Sequence, residues 1–113
     1  MQLRILVDIV SAVGTVHEVC RVVARHDPDL ARQLKRAVSS VGLNAGEGLG
    51  ARGGNRTVRL ESAMNSGREA ILGLRIAGAA GYLDAASVAR EVDALDRIVA
   101  TLYKLAYRPG RAS

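Results

Sequence analysis

The chain is poor in aromatic residues and in cysteine. It contains no Trp and no Phe, only three Tyr and a single Cys among its 113 residues. Its hydrophobic fraction, 49%, therefore consists mainly of aliphatic residues, which suit closely packed helices better than a β-sandwich filled by large rings. One cysteine excludes an internal disulfide, and the place of Cys20 on an apolar helical stripe predicts a buried thiol rather than a nucleophile.

Long apolar runs are also missing. No stretch approaches the roughly 18 residues that a membrane-spanning helix requires, so we expect no membrane partner. The apolar N-terminal stretch MQLRILVDIVSAVGTV is interrupted by Asp8, and no small-residue cleavage site follows it. We therefore interpret this stretch as a helix of the mature protein. A cytoplasmic location is expected, and a lone cysteine fits a reducing compartment.

Positive charge is abundant but unevenly distributed. The formal net charge is +5. Between Leu30 and Leu60 six cations face one anion, Glu47, whereas ten cations face ten anions in the rest of the chain. The six cations are Arg32, Lys35, Arg36, Arg52, Arg56 and Arg59. Because clustered Lys and Arg attract polyanions, these six residues are the candidate nucleic-acid-binding set.

Apolar residues recur at helical spacing along the chain, and no strand-like alternation occurs. The pattern predicts one domain over residues 1–113, with helices at about 2–25, 28–47, 57–80 and 85–107. Asp27 is a predicted N-cap with Pro28 in the first helical position, Gly81 a predicted helix stop, and Asp84 the next N-cap. We therefore predict an all-α, antiparallel up-and-down four-helix bundle.

Two details concern how the predicted helices pack. Gly67, Gly73 and Gly78 in the third helix each cost about 1 kcal/mol of helix propensity relative to Ala, which predicts that a neighbouring backbone approaches there. On the fourth helix, Asp93 and Arg97 have the spacing of an exposed ion pair.

The segment GEGLGARGG, residues 46–54, contains the G-x-G-x-x-G spacing of a dinucleotide-binding loop. Such a loop needs a preceding β-strand and a helix that opens at its third glycine. Residues 34–45 run instead at helical spacing, and no G-K-[ST] follows. We interpret residues 46–54 as a flexible connection between two helices, in which Gly50 and Gly53 tolerate replacement by Ser. No cofactor is expected.

No pattern of catalytic or metal-binding residues is evident. Di-metal sites in helical bundles need Glu-x-x-His pairs and further inward carboxylates. Neither His17 nor His26 has a Glu three residues before it. Glu47 and Glu69 are the only predicted inward carboxylates. The sequence therefore predicts a protein that is not an enzyme and holds no metal.

A series of motifs runs in order over residues 30–107. It consists of Ser40-Val41-Gly42-Leu43-Asn44-Ala45-Gly46-Glu47-Gly48, a basic loop, Ser66-Gly67-Arg68-Glu69, and Gly81-Tyr82-Leu83. The series resembles the bacterial four-helix-bundle family encoded in intervening sequences of 23S rRNA genes. That family has S-I-P-x-N-I-A-E-G, a loop rich in Arg, Lys and Ser, then S-x-x-E and G-Y-L. Gly42 stands here for its Pro, and Gly46 for the Ala before its Glu.

The resemblance implies a homopentameric ring of four-helix bundles with a basic surface implicated in nucleic-acid binding. It also implies a relation to the accessory variability protein of diversity-generating retroelements, which binds a reverse transcriptase and nucleic acid. Its motif core is Asn44, Glu47 and Gly48, with Ser66 and Glu69 in the later motif. For Asn44 and Glu47 an RNA contact is one interpretation. We favour a structural role, because a carboxylate is a poor phosphate ligand, and Arg68 is then a candidate partner.

Two hypotheses of function follow. The leading one is a non-enzymatic, oligomeric bundle that binds RNA or an RNA–DNA intermediate through backbone phosphates, with the basic residues along one rim of the ring. No aromatic residue is interleaved with these cations, so sequence-specific reading is not expected. The alternative is a scaffold for a protein partner such as a reverse transcriptase. Both include a homo-oligomer, because the first helix carries a surplus apolar face at Ile5, Val19 and Val22.

Overall fold

The protein is a bundle of four helices. The computed structural model describes residues 2–107, with side chains from Arg4 onward. Helix α1 is Gln2–Ala24, α2 is Pro28–Leu49, α3 is Gly53–Ala79, and α4 is Ala85–Tyr107. These residues contain no β-strand. The prediction of an all-α, four-helix fold is confirmed.

Helices that follow each other in sequence also pack side by side. Short connections make α1 and α2, α2 and α3, and α3 and α4 antiparallel pairs. Contact between α1 and α4 closes the bundle but is much sparser than the other three. The bundle measures about 45 × 22 × 19 Å. Within residues 2–107, no helix combines the length and the apolar character needed to cross a membrane.

The helix ends are set by the predicted capping residues. The Leu30 backbone N–H donates to the Asp27 carboxylate at 3.0 Å at the start of α2. At the end of α3, Gly81 has φ +81°, a conformation that glycine adopts without a steric penalty. The Ser87 N–H donates to Asp84 at 2.7 Å and begins α4, and this bond lowers the pKa of the Asp84 carboxyl.

The glycine-rich segment is mostly helical, which corrects the predicted flexible connection. Helix α2 continues to Leu49 and α3 begins at Gly53, so only residues 50–52 connect them. The guanidinium of Arg56 donates to the Leu49 carbonyl at 3.5 Å and bonds the end of α2 to the start of α3. Gly53 has φ +59°, a region in which a side chain is strained, so Ser at this position carries a conformational cost that the predicted flexible connection did not include.

Each helix contributes an apolar stripe to one hydrophobic core. Ile5 and Val19, predicted for a subunit interface, belong to this core and are buried. They are buried because α1 lies between α2 and α4 and presents a wide face to both. Val22 is partly exposed, and the most exposed apolar side chains of α1 are Val7 at 56% and Val10 at 70%.

The glycines of α3 admit side chains of neighbouring helices rather than their backbones. A Cβ at Gly67 would lie 2.8 Å from the Val99 side chain of α4, and one at Gly73 would lie 2.7 Å from Leu34 of α2. At Gly78 the nearest atom belongs to Val88, at 2.9 Å. The predicted close approach of neighbouring elements at these glycines is therefore confirmed. The prediction that a backbone makes this approach is wrong, because side chains of α2 and α4 occupy the space.

Candidate nucleic-acid interface

The first part of the predicted basic set lies on the N-terminal half of α2. Arg32, Lys35 and Arg36 are all exposed. Arg32 forms an ion pair with Asp29 one turn earlier. Within the described residues, neither Lys35 nor Arg36 forms an ion pair. These two cations are therefore available to a polyanion.

The second part lies at the opposite end of α2. We call this the α2–α3 end, the end of the bundle at which residues 50–52 join the two helices. Arg52 is exposed and forms no ion pair among the described residues. Arg56 caps the Leu49 carbonyl, and Arg59 forms an ion pair with Glu47 at 3.5 Å. Arg56 and Arg59 thus also connect α2 to α3.

The six cations do not share one rim of the bundle, as the sequence had suggested. Arg36 precedes the end of α2 by 13 residues, which corresponds to about 20 Å along the helix axis. Two basic patches result, one near each end of α2. The two patches looked like one cluster in the sequence because they lie within the 31 consecutive residues from Leu30 to Leu60. Most of those residues belong to α2, whose length keeps the patches apart.

The motif residues of α2 make contacts within the bundle. Asn44 donates its side-chain amide to the backbone carbonyl and the hydroxyl of Ser40, at 3.1 and 3.0 Å. The Ser66 hydroxyl of α3 donates in turn to the Ser40 hydroxyl at 2.9 Å. A Cβ at Gly48 would lie only 2.9 Å from Leu60. These contacts agree with the structural interpretation of the motif, because they join α2 to α3.

Arg68 does not pair with the motif residues. Its guanidinium donates to the Asn65 side chain at 3.2 Å, one turn earlier on α3, and the predicted pairing with Asn44 or Glu47 is wrong. The partner of Glu47 is Arg59, because Arg59 lies level with Glu47 across the α2–α3 contact. Likewise, Asp93 and Arg97 form no ion pair among the described residues.

Among residues 4–107 the buried carboxylate is that of Glu91, which was not predicted from the sequence. Glu47 and Glu69 are exposed rather than inward, whereas Glu91 is only 2% exposed. The Thr15 hydroxyl of α1 donates to it at 2.6 Å, and Arg90 donates at 3.0 Å. Its position four residues before the buried Leu95, on the apolar stripe of α4, is the signal that could have revealed it.

Glu91 lies in a polar groove between α1 and α4. The groove has a volume of about 460 Å³. Charged and hydroxyl side chains line it, among them Arg4, Asp8, Ser11, Arg97 and Thr101. The groove follows the sparse contact between α1 and α4, because a face with so many polar side chains gains little from close packing.

The two histidines have local partners, and the single cysteine is buried. The Nδ1 of His17 lies 2.9 Å from the Val13 carbonyl, and the His26 ring stacks on Tyr82 at 5.0 Å between centroids. Burial raises the pKa of the Cys20 thiol to about 11. Within residues 4–107, no group of three or more His, Cys, Asp or Glu side chains could hold a metal ion.

Two tyrosines form an exposed aromatic pair at the α2–α3 end. Tyr103 and Tyr107 of α4 have ring centroids 4.7 Å apart, with an angle of 60° between the rings. The Tyr107 hydroxyl donates to Glu61 of α3, and this bond raises the pKa of Tyr107. Arg68 lies beside both rings. Arg68 lies outside the six cations of residues 30–60 and is 35 positions from Tyr103 in the chain, so the sequence did not indicate that they meet.

Comparisons with protein-family models, curated proteins and solved structures find no match to this chain. The resemblance to the family of 23S rRNA intervening sequences therefore depends on the motif residues alone. The contacts of Asn44, Gly48 and Ser66 explain those residues through the packing of α2 on α3.

Proposed function

We propose that this protein is a non-enzymatic helical bundle that binds nucleic acid, RNA or an RNA–DNA intermediate, through backbone phosphates. The observation that carries the proposal is the exposed positive charge on α2 and at its C-terminal connection. Six cations lie within residues 30–60, and five of them are exposed. Glu47 is the only carboxylate within those residues, and Asp29, just before them on α2, pairs with Arg32. Lys35, Arg36 and Arg52 have no carboxylate partner among the described residues, so they carry the largest share of phosphate binding.

Binding of this kind is largely independent of base sequence. Phosphate contacts fix a nucleic acid in place but read no bases. Assembly into a ring, as the resemblance implies, would repeat both basic patches in every subunit and raise the avidity for a long polyanion. The family resemblance supports the same function, although its basic loop includes three of the six cations already counted.

The test compares two triple variants that change the net charge equally. The first replaces Lys35, Arg36 and Arg52 with Gln. The control replaces the exposed Arg21, Arg75 and Arg97, which lie outside residues 30–60. Fluorescence anisotropy with a labelled 20-nucleotide RNA, over a range of salt concentrations, measures affinity and its salt dependence.

The first variant should bind more weakly at low salt and show a flatter log–log salt slope. The expected change in slope is about 2, since each single-strand phosphate contact contributes about 0.7. The control should keep most of the parent slope, because its cations lie outside the basic patches. Equal affinities and slopes for the two variants would show that net charge alone drives binding, and the proposal would then be wrong.

A second candidate function is an oligomeric scaffold that binds a protein partner such as a reverse transcriptase. Exposed apolar side chains favour it: Val7 and Val10 on α1, and Leu43 on α2, which is 71% exposed. Val7 and Val10 lie one turn apart on α1, and neighbouring apolar side chains on a surface often mark protein interfaces. If the parent protein binds neither RNA nor DNA at low salt, this candidate replaces the first.

A further inference from the structure

We propose that the exposed tyrosine pair of α4 is a base-stacking site for single-stranded nucleic acid. We define the tyrosine face as Tyr103 and Tyr107 of α4 together with Arg68 of α3 and Lys104 of α4. The inference rests on the proposed function and deepens it, because it identifies the strand state that the protein prefers. Phosphate binding alone does not select a single strand over a duplex.

The rings of the tyrosine face lie on the surface although the chain has few aromatic residues. Tyr103 is 49% exposed and Tyr107 is 44% exposed. The third tyrosine, Tyr82, is half-buried and stacks on His26. Aromatic rings contribute most to stability when they are buried. The chain therefore builds its core from aliphatic residues and leaves two of its three rings accessible to a ligand.

One ring is held in place and its neighbour is left free. The Tyr107 hydroxyl donates to Glu61 across the α3–α4 contact, which restricts the orientation of that ring. Tyr103 packs against Tyr107 and has no side-chain hydrogen bond among the described residues. A fixed ring beside an open one forms a preorganised platform, which lowers the entropic cost of stacking a base.

Two cavities adjoin the Tyr103 ring. One, of about 380 Å³, is lined by Arg68, Asp96, Val99, Ala100 and Lys104 as well as by Tyr103. The other, of about 300 Å³, lies between Tyr103 and Tyr107 on one side and α3 on the other. Both cavities are lined by Tyr103 and Arg68, which suit a flat base and its adjoining phosphate, and each also has one carboxylate in its lining, Asp96 in the first and Glu61 in the second.

Positive charge accompanies the rings. Arg68 lines both cavities, and Lys104 follows Tyr103 directly on α4. Two carboxylates are also present. Glu61 already accepts the Tyr107 hydroxyl, and Asp96 lies eight residues from Lys104, which is about 12 Å along the helix axis. Asp96 still lines the first cavity, but it does so together with both Arg68 and Lys104, so two cations face one carboxylate there.

The position of the tyrosine face connects it to one of the basic patches. Tyr107 contacts Glu61, in the third turn of α3, so the face lies at the α2–α3 end. Arg52 precedes Glu61 by nine residues, or about 13 Å along α3. One single strand could therefore place phosphates at Arg52 and bases at Tyr103. Duplex bases are stacked inside the helix and cannot reach such rings.

The experiment measures binding of Tyr103 variants to oligo(U) and to an RNA duplex of the same length. Tyr103→Ala should lower affinity for oligo(U) by about five- to a hundredfold, the range measured for loss of one stacked base. Tyr103→Leu keeps an apolar contact with Tyr107 and should show the same loss. Tyr103→Phe keeps the ring and should bind nearly as the parent does. Duplex affinity should change less than twofold in all three.

A spectroscopic readout tests stacking directly. The chain has no Trp, so its intrinsic fluorescence comes from three tyrosines. Oligo(U) should quench this fluorescence in the parent and much less in Tyr103→Leu, because a stacked base quenches a phenol ring in contact with it. Circular dichroism of each variant verifies that the helices remain folded.

The outcomes separate this inference from the proposed function. If the parent binds oligo(U) and Tyr103→Leu binds it equally well, the stacking site is refuted and phosphate binding stands. If both Leu and Ala variants lose single-strand and duplex affinity equally, stacking is also refuted. If the parent binds neither RNA at low salt, the proposed function itself is wrong, and the tyrosine face loses its ligand.

Discussion

Cys20 shows how a single side chain is made unreactive by its surroundings. Burial raises the pKa of its thiol to about 11, although the charge of Lys35 acts in the opposite direction. At pH 8 only about 0.1% of the thiol is then ionised, and the thiolate is the reactive form. Because the pKa of the thiol in the folded protein exceeds its ordinary value of 9.0, the stability that the neutral thiol contributes should be lost as the pH rises from about 9 to 11.

We therefore predict that iodoacetamide modifies Cys20 very slowly in the folded protein at pH 8 and rapidly in 6 M guanidinium chloride. Mass spectrometry of samples taken over time measures both rates. Rapid modification of the folded protein would contradict the buried position of the thiol.

Glu91 and Thr15 provide a test of polar pairing at the residue scale. Thr15→Val removes the hydroxyl that donates to the buried Glu91 carboxylate. We expect a loss of about 1.5 kcal/mol in the free energy of unfolding, the usual range for a hydrogen bond to a charged group. In a Glu91→Leu background the same change should cost less than about 0.5 kcal/mol, because the buried charge is gone.

Urea denaturation of the four proteins in this cycle measures the coupling between the two residues. Thr15→Ser is the matched control, since it keeps the hydroxyl, and it should cost much less than Thr15→Val. If Thr15→Val costs the same with and without Glu91, the two side chains are not coupled.

At the scale of the helix, two neighbouring glycines of α2 have opposite roles. A Cβ at Gly48 would lie 2.9 Å from Cδ2 of Leu60 and 3.1 Å from Cβ of Arg59, whereas a Cβ at Gly46 meets nothing within 4 Å. Gly48→Ala should destabilise the fold by about 1–3 kcal/mol through overpacking. Gly46→Ala should stabilise it by about 0.5 kcal/mol, because Ala favours the helix more than Gly does.

The two substitutions should therefore shift the midpoint of thermal unfolding in opposite directions relative to the parent protein. Both substitutions are Gly→Ala in the same helix, two residues apart, so both gain the same helix propensity. The difference between their midpoints therefore measures the packing of the added methyl group. A gain in stability for Gly48→Ala would show that α2 and α3 are not in close contact there.

The packing of α2 on α3 also explains what could be predicted of this region. Local patterns placed both helices, and Asn44, Glu47 and Gly48 were identified as a motif. The partners of these residues were not predicted correctly, because they depend on how α3 is aligned along α2. The extension of α3 back to Gly53 was missed for a similar reason: glycines disfavour a helix locally, and the Arg56 contact with Leu49 that supports it is tertiary.

For the whole molecule, the exposed apolar residues of α1 predict self-association. Val7 and Val10 lie on the outer face of α1, where the bundle does not cover them. We expect a homo-oligomer, a pentamer if the family resemblance holds, and Val7→Lys with Val10→Lys should dissociate it. Charges at two desolvated interface positions are costly. Sedimentation equilibrium at micromolar concentration measures the mass.

The control for this prediction is Val58→Lys, which changes a similarly exposed valine at the start of α3 and should leave the mass unchanged. A monomeric parent protein would contradict the predicted assembly. In that case, each bundle would bind phosphates and bases on its own rather than as part of a ring.

The sequence alone determined the properties that depend on neighbours within a few positions. Helical spacing identified four helices and their inward stripes, Asp27 and Asp84 were correctly predicted as caps, and the excess of positive charge was visible in the composition. These features are local because helix periodicity and capping involve residues within one or two turns.

Tertiary structure decided which of these residues meet. The burial of Glu91, the separation of the cations into two patches, and the placement of Arg68 beside Tyr103 all depend on the rotation and axial alignment of whole helices. Side chains from different helices approach each other only after the bundle forms, and a shift of one helical turn, about 5.4 Å, would change every such contact. Stripes of similar aliphatic residues permit several alignments, so packing between helices, rather than any local pattern, selects the one that brings the rings and the cations together.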